Sequence, residues 1–145
     1  MYDALKNLHS YWAYFVLLML IVAVVNAIIG RTSKKEYTQQ AFRIALFTLI
    51  VAHMQLLIGL ILYFISPMFD LWDSLGGEVM KDSLARLYLV EHPLTNIIAI
   101  VLITIGFSKA KKKFESASKY KTILIFYSIA LILLLSRIPW DAWPR

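Results

Sequence analysis

Four long stretches with almost no charge constrain this chain more than any other feature: residues 11–29, 41–65, 93–107 and 122–136. A helix of about 20 residues crosses a hydrocarbon layer of about 30 Å. Four crossings and short connections use up 145 residues and leave no room for a separate water-soluble domain. Composition agrees, with 60% hydrophobic and 17% charged residues, against about 45–50% and about 25% in soluble domains. The expected fold is an all-α integral membrane domain over 1–145, an up-down-up-down four-helix bundle. Its spans are expected at about 9–30, 41–66, 84–108 and 121–138. Only Asp3 and Lys6 carry charge before the first span, and no small-x-small cleavage pattern follows it, so that span is expected in the mature protein.

The net charge of +6 is unevenly placed. The first and third connections, with the adjoining helix ends, hold ten basic and two acidic residues; the rest holds five basic and seven acidic. Basic connections stay on the cytoplasmic side, so both termini and the middle connection are expected outside. The high pI thus reads as orientation, with contact to anionic lipid rather than nucleic acid. Tyr11, Trp12, Tyr14, Phe69, Trp72, Trp140 and Trp143 then form an outer aromatic belt. The middle connection, from Pro67 to about Asp82, has room for a short interfacial helix, and Asp82 or Ser83 is placed to cap the third span. The pairs Ala23/Ala27 and Ala41/Ala45 would let backbones approach closely.

Ionisable side chains inside a span cost about 2.5–3.5 kcal/mol each on insertion scales, which makes them functional candidates. At about 1.5 Å per residue from the basic ends, His53 lies about 17 Å deep, His92 and Arg137 about 22 Å, and His9 and Arg86 about 31 Å. The polar groups gather in the outer half. Glu91 and Arg137 sit at similar depth and are expected to form an ion pair joining the last two helices; alternatively Arg137 or Arg86 meets an anionic ligand group such as a haem propionate. Pro93 should disturb the helix one turn earlier. Gln55, two residues from His53, should bond another helix, and Met19 and Met54 read as packing.

With no Cys, disulfides, iron–sulfur clusters, thiolate zinc sites and attached haem c are excluded. Two imidazoles from facing helices can hold haem b iron without any attachment motif. Three histidines allow one bis-histidine haem per chain at most. Depth favours His53 and His92 as metal ligands, with His9 near the outer mouth or as a replacement. The plainer alternative is that each His bonds a neighbouring helix. No HExxH, phosphate-binding glycine loop or paired-carboxylate arrangement points to a catalytic residue.

The strings 8–14 (LHSYWAY), 52–60 (AHMQLLIGL), 86–94 (RLYLVEHPL) and 135–140 (LSRIPW) resemble a family of short four-helix bacterial membrane proteins generally labelled "cytochrome B". The resemblance covers nearly the whole chain. It implies a haem b electron carrier in the bacterial cytoplasmic membrane, with His53, His92 and His9 facing the haem. A membrane redox partner or a homo-oligomer would accompany that role. The larger cytochromes b use more histidines, which separates this chain from them. The second class of function is a haem-free integral subunit that stabilises or assembles a larger membrane complex.

Overall fold

In the computed structural model, which describes residues 1–144, every regular element is helical. The long helices are α1 (Tyr2–Thr32), α2 (Gln39–Ile65), α4 (Ser83–Lys112) and α5 (Ser116–Ser136). A short helix α3 (Leu71–Leu75) lies between two 3₁₀ turns, Pro67–Asp70 and Gly76–Lys81, in the middle connection. All four long helices are long and apolar enough to cross a membrane.

α1 begins at Tyr2, earlier than expected from the apolar run, because its polar first turn is a good helix former with Asp3 facing the helix N-terminus. α4 and α5 likewise extend further into the basic connection, leaving only 113–115 between them. Lysines favour helix and sit well at the C-terminus of α4. Thr38 caps α2 by accepting from the Ala41 N–H (3.2 Å), and Asp82 caps α4 through the Ala85 N–H (2.8 Å). α1 closes with Lys35 N–H on Gly30 O and Lys34 N–H on Arg31 O. Lys34 takes the left-handed conformation this ending requires, at φ 53°.

The helices form a ring: α1 and α4 each pack against both α2 and α5, so α1 faces α4, and α2 faces α5, across diagonals. Small residues line the seams: Ala23, Ala27, Ala41, Ala45, Ala52, Ala99 and Ala130 are buried. They let backbones come close where dispersion and hydrogen bonds, not water exclusion, hold helices together. Leu18, Ile21, Val25, Ile28, Ile129 and Ile132 instead point outward. Only 22–28% of each apolar window is buried inside the protein. A surface this apolar belongs in lipid, and the chain is a multi-pass membrane protein.

Near its start α4 changes its winding. Pro93 has no N–H to offer Leu89 O, its α-helical partner, and the preceding turn Leu87–Glu91 is π-helical. The Tyr63 hydroxyl from α2 donates to Leu89 O at 3.0 Å, and Trp72 Nε1–H donates in turn to the Tyr63 oxygen at 3.0 Å. Val79, Ala85 and Leu89 form a small second core with Leu71, Trp72 and Leu75. The middle connection therefore lies as a cap against the π-turn.

Candidate functional site

Polar side chains of three helices meet near the end of the bundle that carries the π-turn. His9 of α1 and His92 of α4 face each other across the diagonal, with ring centres 6.2 Å apart and planes at 78°. Their neighbours explain how each ring is held. His92 Nδ1–H donates to Arg137 O at 2.8 Å, a carbonyl at the end of α5 that has no helical partner of its own. This fixes the tautomer and leaves Nε2 as the basic nitrogen; Asn96, one turn further on, donates to it from Nδ2 at 3.1 Å. His9 rests against Gly59 of α2, where a Cβ would stand 3.0 Å from its Cε1. Gln55 Nε2–H donates to the His9 carbonyl at 2.9 Å.

The network is incomplete. Among the described residues, three buried side-chain atoms have no hydrogen-bond partner: His9 Nδ1, Gln55 Oε1 and Asn96 Oδ1. All three belong to this one cluster. An unsatisfied buried polar group costs about 1–3 kcal/mol, so partners supplied to these three atoms would stabilise this region more than elsewhere in the bundle.

Beside the histidines lies a charged group. Glu91 Oε1 accepts from Arg86 Nε at 2.8 Å, and its Oε2 lies 3.5 Å from Arg137 Nε. Arg86 also donates from Nη1 to Met80 O at 2.8 Å, tying the cap to α4. Glu91 therefore meets both arginines, not Arg137 alone. Five residues separate Arg86 from Glu91, which in an α-helix would turn them about 140° apart. The π-turn brings positions i and i+5 onto one side, and the pair depends on it.

His53 lies elsewhere. The depth estimate paired it with His92, and the fold does not. Its ring turns back one helical turn, donating from Nδ1 to Leu49 O at 2.8 Å, with Nε2 3.3 Å from the Thr104 hydroxyl of α4. Thr104 reaches back in its own helix to Ile100 O at 2.8 Å. The His53 ring thus lies beside Thr104, twelve residues beyond His92, or about 18 Å along the axis. It opens on an apolar groove of about 410 Å³ lined by Leu49, Ile50, Met54 and Leu57. The estimate measured where backbones sit; the ring's fold-back carries it the other way. His9, expected at the mouth, is the histidine that meets His92.

Two tryptophans expected in the belt also bind into the bundle, Trp12 joining two helices and Trp143 tying the segment after α5 to α1. Trp12 Nε1–H donates to Val51 O at 2.9 Å, and Trp143 Nε1–H to Ser10 O at 3.2 Å. Asn96 and Gly59 were not singled out from sequence. Asn96 carried a usable signal, an amide four residues after His92 in an otherwise apolar run. Compared with known proteins, the chain matches no family model, no curated sequence and no solved structure.

What the cluster could hold follows from its donors. Two imidazoles bound to one ion through bonds of about 2 Å would have ring centres up to about 6 Å apart. The His9 and His92 ring centres lie at about that separation. A ligating imidazole typically gives its other N–H to a backbone carbonyl, as His92 does. Among the described residues no three His, Asp or Glu gather as a metal site. Two imidazoles alone suit an ion whose remaining positions are filled by a macrocycle.

Proposed function

We propose that this protein is a haem b-binding membrane protein that carries electrons, with His9 and His92 as the iron ligands. The observation that carries the proposal is the facing pair itself: 6.2 Å between ring centres, with the His92 ring held in one tautomer by Arg137 O. The resemblance of the sequence to bacterial proteins labelled "cytochrome B" points the same way, and with it a place in the bacterial cytoplasmic membrane. Bound haem would supply one-electron exchange at the iron. The chain's own residues do the rest. Arg137 O holds the His92 ring in orientation, and Gly59 leaves room for His9. Glu91 balances Arg86 and Arg137, of which Arg137 is the more exposed and more weakly held, and so the one suited to turn toward an anionic group.

One observation favours a second reading, a haem-free subunit of a larger membrane complex. His92 Nε2 is already engaged by Asn96, and both oxygens of Glu91 are paired within the chain. Purified protein from haem-sufficient cells decides between the two. The first reading expects a reduced-minus-oxidised α-band and a pyridine haemochrome, lost in His9→Ala and in His92→Ala but kept in His53→Ala. A colourless wild type, or a spectrum that survives in both His9→Ala and His92→Ala, overturns it.

A further inference from the structure

The opposite end of the bundle carries a second polar feature, independent of the histidines and of any haem. A cleft of about 220 Å³ is lined by Tyr37, Phe42, Phe107, Ala110, Lys111 and Lys119. Its walls are built from three parts of the chain and are held firmly. Tyr120 packs its ring against Gly30, donates its hydroxyl to Glu36 O at 2.8 Å and meets the Tyr37 ring at 5.0 Å. The Tyr37 N–H donates to Ser116 Oγ at 2.8 Å, fastening the first connection to the start of α5. Phe42 and Phe107 form a tilted pair 5.4 Å apart at the apolar base.

The two lysines are placed, and no carboxylate answers them. Lys119 Nζ lies over the Tyr37 ring at 5.4 Å and Lys111 Nζ over the Phe107 ring at 5.1 Å. The acidic residues of this end are Glu36 and Glu115. Among the described residues neither pairs with a lysine, and no ion pair involves Lys111 or Lys119. The surrounding segments add Arg31, Lys34, Lys35, Lys109, Lys112, Lys113 and Lys121. The cleft sits where the apolar helices end, and in a spanning bundle that is where the headgroup zone begins.

We propose that this cleft binds the headgroup of an anionic phospholipid, its phosphate held between Lys111 and Lys119 and its acyl chains descending past Phe42 and Phe107. Burial, and the neighbouring Tyr120 hydroxyl, push the Tyr37 phenol up to about 12. It therefore remains a hydrogen-bond donor throughout the neutral range, as a phosphate oxygen needs. A zwitterionic lipid offers the same phosphate but brings a cation into a site that already holds two, so the cleft should select against it.

The test is thermal unfolding of the purified full chain in detergent, titrated with phosphatidylglycerol, phosphatidylcholine or inorganic phosphate. Phosphatidylglycerol should raise the midpoint saturably, and the other two should not at equal concentration. Lys111→Gln/Lys119→Gln should weaken the apparent affinity about tenfold or more, and Lys111→Arg/Lys119→Arg, which keeps both charges, should retain it within about threefold. Lys112→Gln/Lys113→Gln, which removes equal charge outside the cleft, should also stay within about threefold. A loss in the Lys112/Lys113 variant equal to that in the Lys111/Lys119 variant would show diffuse attraction and overturn the site. An equal response to phosphatidylcholine, or to phosphate alone, would overturn the lipid assignment.

Discussion

The bundle is bridged across its diagonals at two places, and they are built differently. In the basic half the Tyr127 hydroxyl of α5 reaches across to Ala45 O of α2 at 2.7 Å. Thr48, one turn on from Ile44, satisfies itself on Ile44 O at 2.8 Å and reaches Met19 O at 3.2 Å. Both side chains are fully buried, and neither leaves a polar atom without a partner. At the other end His9 meets His92, and three buried polar atoms are left over. One crossing is complete within the protein and serves to join helices. The other carries the cost of its unpaired groups, which the ligand proposed above would offset.

This contrast can be broken or sharpened by substitution. The largest effect on stability is expected at Gly30, where a Cβ would run into the Tyr120 ring. Gly30→Ala should cost about 2–3 kcal/mol in reversible unfolding while leaving any haem spectrum unchanged. Glu91→Gln leaves two arginines facing an uncharged amide. Because the group is partly exposed, the loss should be about 1–2 kcal/mol. Tyr127→Phe removes a satisfied hydroxyl and should cost about 1 kcal/mol. Asn96→Leu, its counterpart at the incomplete crossing, removes an unpaired oxygen but also the bond to His92 Nε2, so one unpaired atom replaces another and in ligand-free protein the change should be near neutral. If Asn96→Leu proves as costly as Tyr127→Phe, the two crossings are alike and the contrast fails. The smallest change is a gain: Lys34→Gly relieves the left-handed conformation and should stabilise by up to about 1 kcal/mol, read as a raised unfolding midpoint.

The four spans were legible because lipid imposes a length and a polarity that the chain cannot hide. The disturbance ahead of Pro93 and the cap at Asp82 were legible for similar reasons: each follows from one residue acting on its own helix. The partners across the bundle were not. Nothing in the run around Tyr127 marks Ala45 as the acceptor, since a carbonyl is present at every position. His53 was misplaced because its ring leans back onto Leu49 O, a side-chain choice that backbone depth does not register. Trp12 looked like a residue for the headgroup zone, yet its N–H found Val51 O inside the bundle. Local chemistry can be read along the chain, whereas pairing between helices depends on rotation about each axis.

The π-turn at Leu87–Glu91 bears directly on that rotation. It acts as a single surplus residue in the path of α4, and each α-helical residue turns the chain by about 100°. Removing one residue between Arg86 and Glu91 would let the turn close as an ordinary α-helix, leaving that pair four residues and about 40° apart, still on one face. The flanking segments would keep nearly their present rotation, and the ion pair would persist. A deletion there should therefore be better tolerated than one further along α4, which would turn everything behind it by about 100°. The surplus residue marks a place where this helix can change its residue count, a tolerance that similarity of side chains would not reveal.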